Sequence, residues 1–292
     1  MDNVLLLGGA GFIGSSLVKK LDKTTSLKLL INNTDIKTTA EKFRGNILKK
    51  ESFSNEIREI EIIVNLLGQT SSDESEFINS NIIGGINLLN SCIHKNIKKI
   101  ILISSINVYG ENLETASKEN DDLKPKTFYG LIKMITEQMY EYFSRKYGLN
   151  VTILRLAGVY GPNKKNGFLP ELFKSTKDST VTPICYNHGK QQRDMLYIDD
   201  VIDCILNAME YQNDGFDIFN ISSGKRYSMN ELISMIEKIT KTKISVKYSS
   251  QIPDEKCIWA NNEKAKKLLK FEPKTEIKSG LESTISLFFN KL

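Results

Sequence analysis

The stretch VLLLGGAGFIGSSLVKKL, residues 4–21, runs from an apolar segment straight into four glycines, Gly8, Gly9, Gly11 and Gly14, and on into an amphipathic segment. Glycines spaced this way between a strand and a helix permit a tight turn, let the backbone approach a pyrophosphate and let the helix pack closely on the strand. The first N–H groups of such a helix face the phosphates. The segment predicts a dinucleotide site at Gly8, Gly11, Phe12, Ile13 and Gly14, whether read as GxGxxG from Gly9 or as GxxGxxG from Gly8.

Further apolar runs at Leu27 to Ile31, Ile62 to Leu66, Ile100 to Ser104 and Val151 to Leu156 each adjoin an amphipathic stretch. This alternation predicts an α/β fold with a Rossmann-type doubly wound parallel sheet. Strands almost wholly Val, Ile and Leu suit a sheet covered on both faces. We expect the dinucleotide-binding domain over residues 1–162 and a smaller C-terminal α/β substrate lobe over 163–292, with Phe216 to Ile221 a candidate to return to the main sheet. Helices are expected at Asp200 to Tyr211 and Met229 to Thr240, and loops at Asn163 to Asn166 and Tyr186 to Gln192.

Composition narrows the class. Of the 292 residues, 40% are hydrophobic and 26% charged, which is ordinary globular usage and neither a disordered chain nor a coiled coil. The net charge of +5 is spread over lysine-rich faces such as Lys264, Lys266, Lys267 and Lys270 without interleaved aromatics, so nucleic-acid binding is not expected. No apolar run approaches the roughly 20 residues that span a bilayer, and only Met1, Asp2 and Asn3 precede the first strand, so neither a membrane span nor a signal peptide is expected. Cys92, Cys185, Cys204 and Cys257 show no CxxC spacing and His94 and His188 add no ligand pattern, which points to reduced thiols in a cytoplasmic protein and to no metal.

At the end of the second strand a carboxylate would accept from the ribose hydroxyls of NAD and repel the extra phosphate of NADP. Here Asn32 is followed by Asn33, and Lys37 or Arg44 could neutralise a phosphate. NAD is preferred, and NADP stays open.

Tyr129 and Lys133, in FYGLIKMITEQMYEYF, lie at i and i+4 and so share one helix face. A phenol is a poor base at neutral pH, but a nearby ammonium and an oxidised nicotinamide both favour its phenolate. Ser104 and Ser105 end a predicted strand, where ligands of open α/β sheets gather. A hydroxyl there can orient a substrate oxygen while the tyrosine takes its proton, which makes Ser105, Tyr129 and Lys133 the catalytic candidates.

With these motifs in order, the chain resembles the extended short-chain dehydrogenases, the nucleotide-sugar epimerases and dehydratases. The likeness covers GGAGFIG, GNI at Gly45 to Ile47, NLLGQ at Asn65 to Gln69, NIIGGINLL at Asn81 to Leu89, SSINVYG at Ser104 to Gly110, YGLIK, RLAGVYGP at Arg155 to Pro162, GKQQRDMLYIDDV at Gly189 to Val201 and NISSG at Asn220 to Gly224. The resemblance implies that Asn46 and Ile47 flank an adenine, that Leu66, Leu67 and Gly68 border the cofactor and that Asn81 contacts it. It further implies that Arg193 reaches the diphosphate of a nucleoside-diphosphate sugar, with Asn107 and Gly158 also at the substrate. It implies a homodimer through the helices around Gly84 to His94 and Phe128 to Lys146.

Departures from the family pattern narrow the reaction. Dehydratases resembling this chain carry Asp and Glu after the catalytic hydroxyl, and enolate-forming epimerases carry a cysteine; here the residues are Ile106 and Asn107. Chemistry that Tyr129 and Lys133 run alone remains: C4 epimerisation through a transient 4-keto sugar, or NADPH-dependent reduction of a 4-keto sugar. A catalytically silent dinucleotide-binding regulator is the rival from another class. Gly158 replaces a more usual asparagine, NLLGQ replaces HLAAQ, and an expected arginine is missing near Gln251 to Asp254, so diphosphate recognition is expected to be weaker or differently built.

Overall fold

The computed structural model describes residues 2–22, 25–68, 73–112, 114–252 and 256–289. Seven strands form one parallel sheet: β1 (Asn3–Leu7), β2 (Ser26–Ile31), β3 (Glu41–Arg44), β4 (Ile62–Asn65), β5 (Lys99–Ser105), β6 (Val151–Leu156) and β10 (Phe216–Ile221), in the order β10-β6-β5-β4-β1-β2-β3. The fold is α/β with a Rossmann-like sheet, as expected. Smaller sheets join β7 (Gly158–Tyr160), β9 (Gln192–Tyr197), β11 (Arg226–Ser228) and β13 (Cys257–Ile258), and pair β8 (Ile184–Cys185) with β12 (Lys247–Tyr248).

Helices α1 (Phe12–Leu21), α2 (Glu74–Ile78), α3 (Gly84–Cys92) and α4 (Phe128–Tyr147) belong to the Rossmann half, and a π turn, Asn79–Ile83, joins α2 to α3. Beyond them lie α5 (Phe168–Ser175), α6 (Ile198–Glu210), α7 (Met229–Thr240), α8 (Glu263–Leu269) and α9 (Ile277–Phe289). No helix is long and apolar enough to cross a membrane among the described residues, nor do His, Cys, Asp and Glu group there as a metal site.

Alternate residues of β1 explain its unbroken apolar sequence. Val4 and Leu6 join a core with Leu17, Val18 and Leu21 of α1 and with Val201, Ile202 and Ile205 of α6. Leu5 and Leu7 join a second core with Leu88 and Leu89 of α3 and Tyr140 and Phe143 of α4. A strand buried on both faces gains about 1.5–3 kcal/mol from each large side chain, so polar residues have no place in it. The edge strand β3, sequence EKFR, has no apolar run and was not foreseen; Lys28 of β2 ties it down by bonding Glu41 at 2.9 Å.

After β6 the chain leaves the main sheet. Gly158–Tyr160 already pairs with β9, ahead of residue 163, and β10 then returns beside β6, with Phe216 opposite Val151 and Ile221 opposite Leu156. Buried Asp194 of β9 links the two sheets, accepting from Ser223 N at 2.9 Å and Ser223 Oγ at 2.7 Å just past β10. The expected loop Tyr186 to Gln192 contains a 3₁₀ turn, Tyr186–Gly189, and its last residue begins β9.

The strand order reverses between β1 and β4: from β1 the chain builds toward β3, and from β4 toward β10. Ligands of open α/β sheets bind at such a switch point, beyond the C-terminal strand ends.

Candidate active site

The glycine turn sits at that switch point. Leu66 N, just past β4, donates to Leu7 O at 3.1 Å, so the ends of β1 and β4 are locked together. Gly8 has φ +81, and a Cβ there would stand 3.1 Å from the Leu66 carbonyl carbon; a Cβ on Gly14 would strike the Gly8 carbonyl oxygen. Gly11 precedes α1 without a side-chain cap, and the first turn of α1 holds no acidic residue. An uncapped helix start behind glycines that exclude any side chain is a cradle for a pyrophosphate, so these residues fit a dinucleotide.

The other expected cofactor residues surround the same strand ends. Asn32 follows β2 and is exposed. Asn46 lies past β3 with its Oδ1 accepting from Leu48 N at 2.9 Å, and Ile47 packs on Gly84 of α3. Leu66, Leu67 and Gly68 extend from β4, though Gln69 of the same motif lies outside the described residues. Asn81 is buried in the π turn with both amide ends engaged inside the protein: Nδ2 donates to Phe77 O at 2.8 Å, and Oδ1 accepts from Lys133 Nζ at 3.2 Å.

The start of α4 brings the catalytic candidates together. Thr127 Oγ1 caps it by accepting from Gly130 N at 3.1 Å. Gly130 lets the helix lie against the 3₁₀ turn Ile106–Tyr109, because a Cβ there would be 2.5 Å from Asn107 O. Tyr129 thereby comes beside Ser105, whose hydroxyl acts to lower the phenol's pKa, and its ring stacks on Phe77 with centroids 5.5 Å apart. Ser105 Oγ donates to Asn107 Oδ1 at 2.8 Å and accepts from Asn107 N at 3.2 Å.

Lys133 lies one turn further along α4 and reaches residues expected to border the cofactor. Its ammonium donates to Asn81 Oδ1 and Ile103 O, each at 3.2 Å, and to Leu67 O at 3.4 Å, so it ties α4 to β5 and to the segment after β4. Burial lowers its pKa to about 8, while the Glu137 charge acts the other way. Burial raises the Tyr129 phenol above its ordinary value, and the neighbouring Ser105 hydroxyl opposes this. The ammonium, held by three oxygens on the helix face it shares with Tyr129, is one of the two positive charges expected to favour the phenolate, the other being an oxidised nicotinamide.

Behind the lysine lies a buried network absent from the sequence reading. Glu137, one turn beyond Lys133, accepts from Arg155 Nε at 3.1 Å and Nη2 at 2.7 Å and from Ser104 Oγ at 2.5 Å. Arg155 Nη1 donates to Tyr109 OH at 2.6 Å, and that hydroxyl donates to Asn220 Oδ1 at 2.7 Å. The only sequence signal was the continuation of the Tyr129, Lys133 spacing by four more residues. Phe77 carried none, because its contact with Tyr129 crosses elements far apart in the chain.

A cavity of about 380 Å³ opens among β7, β9, α5 and α7, lined by Gly158, Lys164, Phe168, Tyr186, Arg193 and Met229 among others. It brings together Gly158 and Arg193, two of the expected substrate residues. Ser105, Asn107 and Tyr129 lie outside its lining. Arg193 Nη1 also donates to Gln192 O at 2.9 Å.

A seven-stranded Rossmann-like sheet, a glycine cradle at its switch point and a Ser, Tyr and Lys cluster beside it define a short-chain dehydrogenase of the extended type. The profile of the NAD dependent epimerase/dehydratase family matches residues 4–222. A putative UDP-glucose 4-epimerase of Methanocaldococcus jannaschii is 29% identical, with 98% of each chain covered. Among solved structures, UDP-glucose 4-epimerase of Thermotoga maritima with UDP-glucose is 29% identical at TM-score 0.90, covering 100% of this chain and 99% of that one. UDP-glucuronic acid 4-epimerase of Bacillus cereus, with UDP-glucuronic acid and NAD, is 26% identical at TM-score 0.90, with both chains covered in full. The chain belongs to the NAD-dependent epimerase/dehydratase family and is an enzyme of that family.

Proposed function

We propose that the protein is a nucleotide-sugar 4-epimerase, which oxidises a sugar C4–OH to a transient 4-keto sugar and restores the hydroxyl on the other face. One observation carries the reading: the Tyr129 phenol meets Ser105, and the group held by Ser105 is the Asn107 amide. Neither Asn107 nor Ile106 can move a proton as an acid or base, so the site supports oxidation and reduction at one carbon without elimination.

In this mechanism Ser105 holds the sugar oxygen and Tyr129 takes its proton, then gives it back after the 4-keto sugar has turned over. Lys133 holds the Leu67 and Ile103 carbonyls in place and supplies positive charge behind the phenol. Gly8, Gly11, Phe12, Ile13 and Gly14 would hold the pyrophosphate of NAD, with Asn32, Asn46 and Ile47 at its adenosine end and Leu66, Leu67, Gly68, Asn81, Tyr129 and Lys133 at its nicotinamide end. Bound there, the nicotinamide supplies an acceptor and donor for the two electrons of the C4 oxidation. Arg193 takes the substrate diphosphate, which a planar guanidinium suits, and Gly158 leaves room beside it. The relatives solved with UDP-sugars and NAD support both ligand assignments.

Exposed Asn32 favours a second reading, reduction of a 4-keto sugar by NADPH, because no carboxylate there repels a 2′-phosphate. Product analysis by NMR decides between them. UDP-, dTDP-, GDP- and CDP-hexoses are supplied with NAD or NADP; C4 inversion without net cofactor consumption is expected, and stoichiometric reduction of NADP to NADPH with accumulation of the 4-keto sugar, the reductase running in reverse, overturns epimerisation. We further assign the protein to a reducing cytoplasm, which its unpaired, buried cysteines suit, and to a homodimer. Ile83 beside α3 and Leu131 and Ile135 on α4 expose 43%, 39% and 37% of their surfaces on the helices expected at the dimer contact.

A further inference from the structure

Lys164 is a cation in the cavity that Arg193 lines, with no opposite charge paired to it among the described residues. It stands in the loop between β7 and α5, where Nζ donates to Val159 O at 2.5 Å and lies 5.4 Å from the centre of the Phe12 ring. Burial lowers its pKa below the ordinary lysine value. It lines the same cavity as Gly158 and Arg193. One carboxylate, Glu171 in the first turn of α5, also lines the cavity, and no ion pair joins it to Lys164 among the described residues. An ammonium withdrawn from water and bound to one carbonyl retains two N–H donors, and keeping it there without a counter-charge is unfavourable until an anion arrives.

The cavity's two cations mark separate points. β7 runs parallel to β9, with Val159 opposite Leu196. Lys164 is tied to the Val159 carbonyl, and Arg193 precedes Leu196 by three residues, so their anchor points differ by roughly 10 Å along the strands. One compact anion at Arg193 does not answer both. The Lys164 end is the one that touches the glycine turn through Phe12, and the reacting carbon of a bound sugar must face that side to reach Tyr129. With the diphosphate at Arg193, the group that meets Lys164 belongs to the hexose.

We propose that Lys164 recognises a carboxylate on the sugar, so that the substrate is a nucleoside-diphosphate hexuronate. The proposal rests on the nucleotide-sugar reading above.

Calorimetry on the dinucleotide-loaded protein tests it, with UDP-glucuronic acid and UDP-glucose as probes against wild type, Lys164→Met and Lys164→Arg. Methionine keeps the unbranched stem on Phe12, and melting temperatures check that folding is retained. Wild type is expected to bind the acid at least about tenfold more tightly than the neutral sugar, as one charge-assisted hydrogen bond supplies. Lys164→Met should erase that preference by weakening only the acid, and Lys164→Arg should keep most of it. Equal binding of the two sugars by wild type, or a preference that survives Lys164→Met, overturns the proposal and leaves the epimerase reading standing. Loss of bound dinucleotide from Lys164→Met also overturns it and gives the lysine to the cofactor's pyrophosphate. Binding of neither sugar nucleotide removes both readings.

Discussion

Glu137 lies one helical turn beyond Lys133 on α4 and, held by Arg155 through its Nε and Nη2, is the charge that keeps the lysine's pKa from falling further. Both partners of this ion pair are 2% exposed. Glu137→Gln should cost about 3–5 kcal/mol in chemical denaturation, since it leaves the Arg155 guanidinium buried and unmatched. It should also move the alkaline limb of kcat/KM to lower pH, because Lys133 loses the charge that favours its protonated form. A stability loss with no change in the pH profile would confine Glu137 to a structural role.

Lys133 itself makes stability depend on pH. Its folded pKa of about 8 lies below the ordinary 10.5. Below the lower value both folded and unfolded chains carry the proton, and the full burial penalty is present. Between the two values the folded chain sheds its proton first, so stability rises with pH, by about 3 kcal/mol over the whole window. Denaturation curves for wild type minus Lys133→Met should show this rise, and a difference that stays flat across the window contradicts it.

Tyr129→Phe keeps the ring on Phe77 and removes only the hydroxyl that meets Ser105. Turnover of the accepted sugar nucleotide should fall by about 10²–10⁴-fold, with dinucleotide binding and melting temperature nearly unchanged. If wild type and variant both bind dinucleotide and neither turns over any sugar nucleotide, the protein is the silent regulator instead.

Gly14→Ala places a methyl group against the Gly8 carbonyl, in backbone that has no flexible end to swing aside. Destabilisation of about 1–3 kcal/mol is expected, together with loss of co-purifying dinucleotide seen by absorbance. Retention of the dinucleotide at wild-type level would remove the cradle from the cofactor site.

Leu131→Glu with Ile135→Glu puts two charges on the exposed apolar face of α4. Sedimentation should show dimer for wild type and monomer for the double variant, and an unchanged dimer would move the interface elsewhere.

Residues that act through their neighbours in the chain could be recognised before any fold was known. The strand, turn and helix of residues 4–21 were recognisable because glycine's steric freedom and apolar periodicity are local properties. Val151–Leu156, Phe216–Ile221 and Met229–Thr240 were expected with these same limits for the same reason. β3 escaped because an edge strand covered on one side needs no apolar run. Phe77, Glu137 with Arg155, and Lys164 escaped because each works through a contact between distant segments.

The sequence by itself determined a glycine turn between strand and helix and a Tyr and Lys on one helix face, since backbone sterics and the pitch of a helix settle both within a few residues. Only the tertiary structure decided that Lys133 spends its protons on Leu67, Asn81 and Ile103, that Ser105 faces Tyr129 while Ser104 faces Glu137, and that Lys164 enters the cavity of Arg193. These contacts depend on which strands lie side by side, and strand order follows from how the crossing helices pack on the two faces of the sheet, which no local pattern encodes.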